Sequence, residues 1–180
     1  MTASYPYHTS GVGLGLGGGV FLGSGLLRMT NCTVSGNCGI GGDGTSSPRT
    51  SETGAGYGVG GLYFRTGNVV MVNCTISGNC ATGGLGRASG GGSGYGGVVS
   101  DRANVQLLGS TVAGNMGVGG LGAPTAFGNT SAGGGVGGLS VSRISLENSI
   151  VAGNIGSVPT SNSIAPTLVP LDALGNLVGP

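Results

Sequence analysis

Apolar and polar positions alternate along four stretches of this chain, and the alternation keeps one phase when the stretches are aligned on an asparagine. Ten residues before Asn37, Asn79, Asn115 and Asn154 stand Leu27, Val69, Val105 and Ile144. Eight before stand Met29, Met71, Leu107 and Leu146, and three before stand Val34, Ile76, Val112 and Val151. Arg28, Val70, Gln106 and Ser145 lie between the first two columns. The period is therefore two with one apolar face, the pattern of a half-buried strand. The phase changes at Asn31, Asn73, Gly109 and Asn148, which predicts a corner there. β-branched residues are frequent and no unit holds a capped run at helical spacing, so strands separated by bends are predicted throughout.

The closing asparagines are 42, 36 and 39 residues apart, a period that belongs to solenoids, propellers or arrays. Each unit opens on two glycines and an aliphatic: Gly18-Gly19-Val20, Gly60-Gly61-Leu62, Gly96-Gly97-Val98 and Gly137-Gly138-Leu139. From opener to closing Asn the first three units align without a gap, and the fourth is two residues shorter around Ser142-Arg143. One such unit cannot bury its inner face alone. Stacked, each strand pairs with its counterpart about 4.8 Å away and the inner residues form ladders. A four-bladed propeller would need four hairpin-linked strands per repeat, and only two or three are legible. The predicted fold is all-β: a right-handed parallel β-helix, or solenoid, of about four coils with Gly-rich loop insertions on one side. Residues 1–17 read as a lead-in or partial cap, 18–155 as coils (18–59, 60–95, 96–136 and 137–155), and 156–180 as a Pro-containing cap or the start of a further coil.

Composition narrows the class. Gly is 45 of 180 residues, several times the usual share of about 7%, yet not at every third position, which excludes collagen. Mean hydropathy is +0.31 and charged residues are 6%, all the basic ones Arg, unlike the charge-rich, weakly hydrophobic composition of disorder. A net charge of +1 offers no overall electrostatic footprint for nucleic acid, anionic membrane or acidic ligands. No apolar run reaches the length of a membrane span, and the first residues lack the basic and apolar regions of a signal peptide. The expectation is a piece of a longer exported chain, without nucleic-acid partner or membrane insertion by this segment.

The linkers Cys38 to Gly60, Cys80 to Gly96 and Met116 to Gly137 carry the variation in length and leave at the same corner, so they project from one side. They contain Gly-Gly-Asp-Gly, Gly-Gly-Leu-Gly and Gly-Gly-Gly-Ser-Gly-Tyr. Glycine of this density predicts mobility. The interspersed Ile40, Tyr57, Val59, Leu85, Tyr95, Val118 and Leu121 keep packing open as the alternative, one form of which is extended polyglycine-type helices side by side.

The sequence Gly-Gly-Val/Leu, then an alternating strand, then Asn-Cys/Ser-Thr-Val/Ile-Ser-Gly-Asn resembles the repeats of right-handed parallel β-helix proteins. These occur in bacterial secreted, cell-surface and autotransporter-passenger-like chains, including the polymorphic outer-membrane proteins. Val34, Ile76, Val112 and Val151 stand where the last group carries Phe. The tail Ala173-Leu174-Gly175-Asn176-Leu177-Val178-Gly179 is similar to a segment that follows such repeats in longer chains. The resemblance covers residues 17–155 and implies a secreted or cell-surface location. It implies little about activity, because the fold hosts lyases, hydrolases, adhesins and stalks.

Candidate chemistry is sparse. Cys32, Cys38, Cys74 and Cys80 form two Cys-x5-Cys pairs, and their parity matches the inward Val34 and Ile76. They read as two ladders of small buried residues, Cys32 over Cys74 and Cys38 over Cys80. A disulfide between coils and a metal site are the alternatives. Asn37, Asn79, Asn115 and Asn154 read as a stacked turn ladder rather than as ligands. Asn31, Asn73 and Asn129 sit in glycosylation sequons, the first two expected to be buried in the corner. Thr33/Ser35, Thr75/Ser77 and Thr111/Ala113 point outward as a solvated face, with an ice-binding array as a remote alternative. The carboxylates Asp43, Glu52, Asp101, Glu147 and Asp172 share no strand position in adjacent units, so the two carboxyls about 5–9.5 Å apart that glycoside hydrolysis needs are not in evidence. His8 lies in the lead-in without an evident partner. No cofactor or metal is implied. Tyr57 and Tyr95, with the outward pair Phe21 and Tyr63, are placed to stack on sugars, or to cover the base of the arms.

The expected function is accordingly that of a non-catalytic structural or adhesive repeat segment of a secreted or cell-surface protein. Surface glycans or other copies of the repeat are its expected partners. The alternative is a carbohydrate-binding or polysaccharide-processing β-helix whose site lies in the arms or in missing sequence.

Overall fold

The computed structural model describes residues 13–44, 54–87, 90–125, 128–129, 131–157 and 177–178. They form a parallel β-solenoid of about three turns without helices. The longest sheet carries Val20–Leu22 and Leu26–Thr30 in the first turn, then Leu62–Val72, Val98–Leu108 and Leu139–Glu147. A second sheet stacks Thr33–Ser35, Thr75–Ser77, Thr111–Ala113, Ile150–Ala152 and Leu177–Val178. A third stacks Cys38–Ile40, Cys80–Thr82, Met116–Val118 and Ile155–Gly156. Two-residue strands at the arm roots, Gly58–Val59, Gly94–Tyr95 and Gly135–Val136, make a fourth, and Gly15 bridges to Gly58 at its open end. The turn count is about three rather than the four expected, because the fourth unit pairs its strands but residues 158–176 after it fall outside the described residues.

Register follows the apolar columns. Leu27, Val69, Val105 and Ile144 are paired partners, as are Met29, Met71, Leu107 and Leu146. In the middle turns these side chains are fully buried, with Leu62, Phe64, Ile76, Val98 and Val112. Each such burial stabilises by about 1.5–3 kcal/mol. In the first turn Val20, Leu22, Leu27, Met29 and Cys32 are only partly buried, since no described rung lies above them.

Two left-handed residues per turn make the corners. Asn31, Asn73, Gly109 and Asn148 have φ of 54°, 51°, 56° and 48°, the conformation that Asn and Gly enter at least cost. Gly36, Gly78, Gly114 and Gly153 have φ of 67°, 61°, 63° and 60° and turn the chain into the third sheet. This second corner shifts the side-chain phase, a step that plain counting by twos does not contain.

That shift corrects two cysteines. Cys32 and Cys74 face inward at the first corner as expected, Cys74 fully buried. Their thiols donate to the carbonyls of Thr30 and Val72, 3.2 and 3.3 Å. Ser110 and Ser149 repeat that bond to Leu108 and Glu147 in the later turns. Beyond Gly36 and Gly78 the phase has changed, so Gly39 and Ala81 point inward while Cys38 and Cys80 point out. These two are paired partners with Cα atoms 4.6 Å apart, and they form a disulfide between the first and second turns rather than a buried ladder. Asn31 and Asn73 are likewise exposed, not buried, and the Asn73 amide donates to Asn31 Oδ1 at 2.7 Å.

The asparagine ladder is continuous. The backbone N–H and Nδ2 of Asn37 both donate to Asn79 Oδ1, 3.0 Å each. Asn79 repeats this onto Asn115, and Asn115 onto Asn154, at 2.9–3.0 Å. Each lower amide also donates back across the turn, to Val34, Ile76 and Val112 carbonyls. Every rung is thus tied to the next at the same interior point, where unpaired amides would each cost about 1–3 kcal/mol.

The arms are packed. Gly41 and Gly44 donate to Thr82 and Leu85 of the next outgoing arm, and Gly83 and Gly86 to Val118 and Leu121. The donors between them turn aside: Gly42 to Gly13, and Gly84 to Gly56 of a returning arm. Returning arms do the same, Gly91 and Gly94 donating to Ser131 and Gly134 while Gly92 donates to Gly84. Donors three residues apart share a direction, which is the symmetry of an extended helix with three residues per turn. A zigzag of bonds consequently runs from Gly13 through Gly42, Gly56, Gly84, Gly92 and Gly120 to Gly133, 2.6–2.9 Å each. A Cβ added at Gly84, Gly92, Gly120 or Gly133 would stand inside contact distance of a carbonyl oxygen of the adjoining arm. Only the third position of each Gly-Gly-Xaa-Gly run, Asp43, Leu85 or Leu121, faces solvent and carries a side chain.

Candidate ligand-binding corner

The four aromatic residues singled out in the sequence come together where the arm roots meet the outer face of the longest sheet. Phe21, Tyr63 and Val99 are register partners on that face. The Phe21 and Tyr63 rings stack with centroids 5.5 Å apart at 30°. Tyr57 and Tyr95 rise from the returning arms and meet edge to face, centroids 6.3 Å apart. Val59, Tyr63 and Val99 are buried, and Leu16, Phe21, Tyr57 and Tyr95 pack partly exposed around them. Tyr63, at 3% exposure, offers no open ring face. Any flat surface for a sugar is therefore left to Tyr57, Tyr95 and Phe21. The cluster also covers the arm base, the structural role considered for it.

A carboxylate completes the corner. The Tyr63 hydroxyl donates to Asp101 Oδ2 at 2.5 Å. Burial pushes the Tyr63 phenol well above the ordinary tyrosine range, and the bond to Asp101 pushes it further. Burial raises Tyr57 too, partly offset by its bond to Tyr63, with Asp101 adding to the rise and Arg65 opposing it. From the sequence Asp101 enters only as a carboxylate without a partner carboxylate, and Arg65 not at all. The available signal was their position four residues after a Gly-Gly opener, the same face as the aromatics.

The remaining candidates are dispersed. Asp43 accepts from the Leu85 amide at 3.0 Å and pairs with Arg87 at 3.1 Å, and these bonds hold its carboxyl below the usual range. Glu147 lies exposed at the far end of the longest sheet. His8, Glu52 and Asp172 fall outside the described residues. Among the described residues no three His, Cys, Asp or Glu side chains gather as metal ligands, and no helix is long and apolar enough to cross a membrane. Thr33 and Ser35 are exposed and their counterparts Thr75, Ser77, Thr111 and Ala113 half-exposed, a flat outward array that Ile150 interrupts. Asn129 lies in an antiparallel hairpin, Pro124–Thr125 against Gly128–Asn129, on the third arm.

Comparison with known proteins found no matching family model, no matching curated protein and no matching solved structure.

Proposed function

We propose that this chain is a non-catalytic structural and adhesive segment of an exported protein, akin to the bacterial secreted and autotransporter-passenger-like β-helix repeats. The observation that carries the reading is the Cys38–Cys80 disulfide, set on the outer face of the third sheet and tying the first turn to the second. Disulfides persist in oxidising compartments, which supports a secreted or cell-surface location. The asparagine ladder and the arm lattice tie the same turns elsewhere, as suits a stiff rod that presents its surface to glycans or to other copies of itself. A second reading, carbohydrate binding, is favoured by the convergence of Tyr57, Tyr95 and Phe21 at one corner.

The test is to offer the purified segment a panel of neutral and acidic polysaccharides and whole cells, scoring retention and release of new reducing ends. Retention without release is the expected result. Release of reducing ends, or failure to bind any glycan, cell or second copy, overturns the proposal.

A further inference from the structure

The longest strand of each turn bends once, and at this bend the turns place their cations together. The bend runs through Gly23 to Gly25, Arg65 to Gly67, Asp101 to Ala103, and Ser142. Gly25 and Gly67 have φ of 107° and 110° there, and the pairing shifts register between Ser100 and Asn104. The local hydroxyls are used in holding it. Thr66 donates to Gly23 O at 3.1 Å, Ser142 to Asp101 O at 2.6 Å, and Ser100 to Ala103 O at 3.0 Å. Arg65, Arg102 and Arg143 are exposed on successive turns, and none of their guanidinium groups makes a hydrogen bond or ion pair among the described residues. Of six basic residues in the chain, three stand here. One carboxylate, Asp101, lies among them, and Tyr63 holds one of its oxygens.

The three cations step along the strand from turn to turn, Arg102 paired with Thr66 and Arg143 with Asn104, one and three register positions beyond Arg65. Their common need is an anion. Asn68 and Asn104, in register with each other and with Arg143, add exposed amides joined at 2.9 Å. Arg65 lies within electrostatic reach of Tyr57, so the cations adjoin the aromatic corner. Guanidinium forks for charged groups, amides for hydroxyls and tyrosine faces for rings together fit one ligand class.

We propose that this bend binds an acidic polysaccharide, its carboxylate or sulfate groups on Arg65, Arg102 and Arg143 and a sugar ring against Tyr57. The proposal rests on the adhesive reading above and names its ligand. The polymer crosses the turns obliquely, following the step from Arg65 through Arg102 to Arg143. The net charge of the chain conceals this, because the same few arginines that leave it nearly neutral overall are concentrated at one bend.

The experiment compares binding to polygalacturonate against its methyl ester, and to dextran sulfate against dextran, with inorganic polyphosphate as a non-sugar polyanion. At least one acidic polymer is expected to bind more tightly than its neutral counterpart and to be released by 0.5 M salt, through screening. Arg65→Gln, Arg102→Gln and Arg143→Gln should each weaken it about two- to five-fold, the scale of an exposed ion pair, and the triple variant at least ten-fold. Arg→Lys versions should keep most of the binding. Equal binding of acidic and neutral polymers, or an unaffected triple variant, overturns the proposal while leaving the adhesive reading standing. Polyphosphate bound as tightly as either acidic polysaccharide overturns the sugar assignment. Absence of all binding by the unmodified protein, to polymers, to cells and to further copies of itself, overturns both. Circular dichroism and thermal melting confirm that the exposed substitutions leave the fold intact.

Discussion

The coils and the arms are two parts of one chain held together by opposite means. In the coils, side chains fill the interior: Phe64, Leu62, Met71 and Ile76 are fully buried, and the backbone only sets their register. In the arms the interior is backbone itself, glycine against glycine, and a single methyl group would part the strands. The coils draw stability from apolar area removed from water. The arms draw it from hydrogen bonds made at a separation that only Gly permits, against the large entropy cost of ordering Gly. The difference teaches that a quarter-glycine composition is no sign of slackness when the glycines meet one another in space.

The largest expected effect separates the two regions at once. Phe64→Ala should lower global stability by about 3–5 kcal/mol and be seen as a fall in melting temperature of the whole molecule. An unchanged melting temperature would contradict the shared core. Next, Cys38→Ser should cost about 2–4 kcal/mol by freeing the first turn, whose core side chains are only partly buried. The check is faster proteolysis of the first turn than of the rest.

How much of this was legible beforehand differs between the same two regions. In the coils, period-two columns fixed strand register, because a one-residue slip would turn Val69 or Leu107 outward. The corners at Asn31, Asn73, Gly109 and Asn148 were legible from the phase change. The second corner at Gly36 was not, since a left-handed glycine alters phase without altering composition. It reversed Cys38 and Cys80. In the arms, the Gly-rich runs announced an unusual element, but sequence alone could not decide between mobility and packing. The decision depends on neighbours that arrive one turn later. Tyr63 and Asp101 illustrate the same limit at the candidate site: they lie 38 residues apart in sequence and share a hydrogen bond.

Smaller effects sharpen the contrast. Gly92→Ala places a methyl group on the Gly56 carbonyl, an overpacking of about 1–3 kcal/mol. Its damage should stay local: arm segments become protease-sensitive while the coil melting temperature moves little. A collapse of the whole fold would show that the arms are not a separate layer. The smallest effect lies at the junction of the two regions. The Tyr57 and Tyr63 phenols are both raised on folding, so their stabilising contribution is fully present below the unfolded tyrosine value near pH 10 and is lost as pH rises above it. An ultraviolet titration of the folded protein should show phenolate from these two residues only above that range. All five tyrosines of the chain ionising together near pH 10 would contradict the junction described.

The ordered glycine lattice is the central claim, and residue-resolved amide hydrogen exchange tests it most directly. The account predicts strong protection of the Gly84, Gly92 and Gly120 amides, comparable to Val105 and Val112 in the coils, because each donates to a neighbouring arm at 2.8–2.9 Å. Exchange of those three amides at the rate of an unstructured chain, with the coil amides still protected, would contradict it.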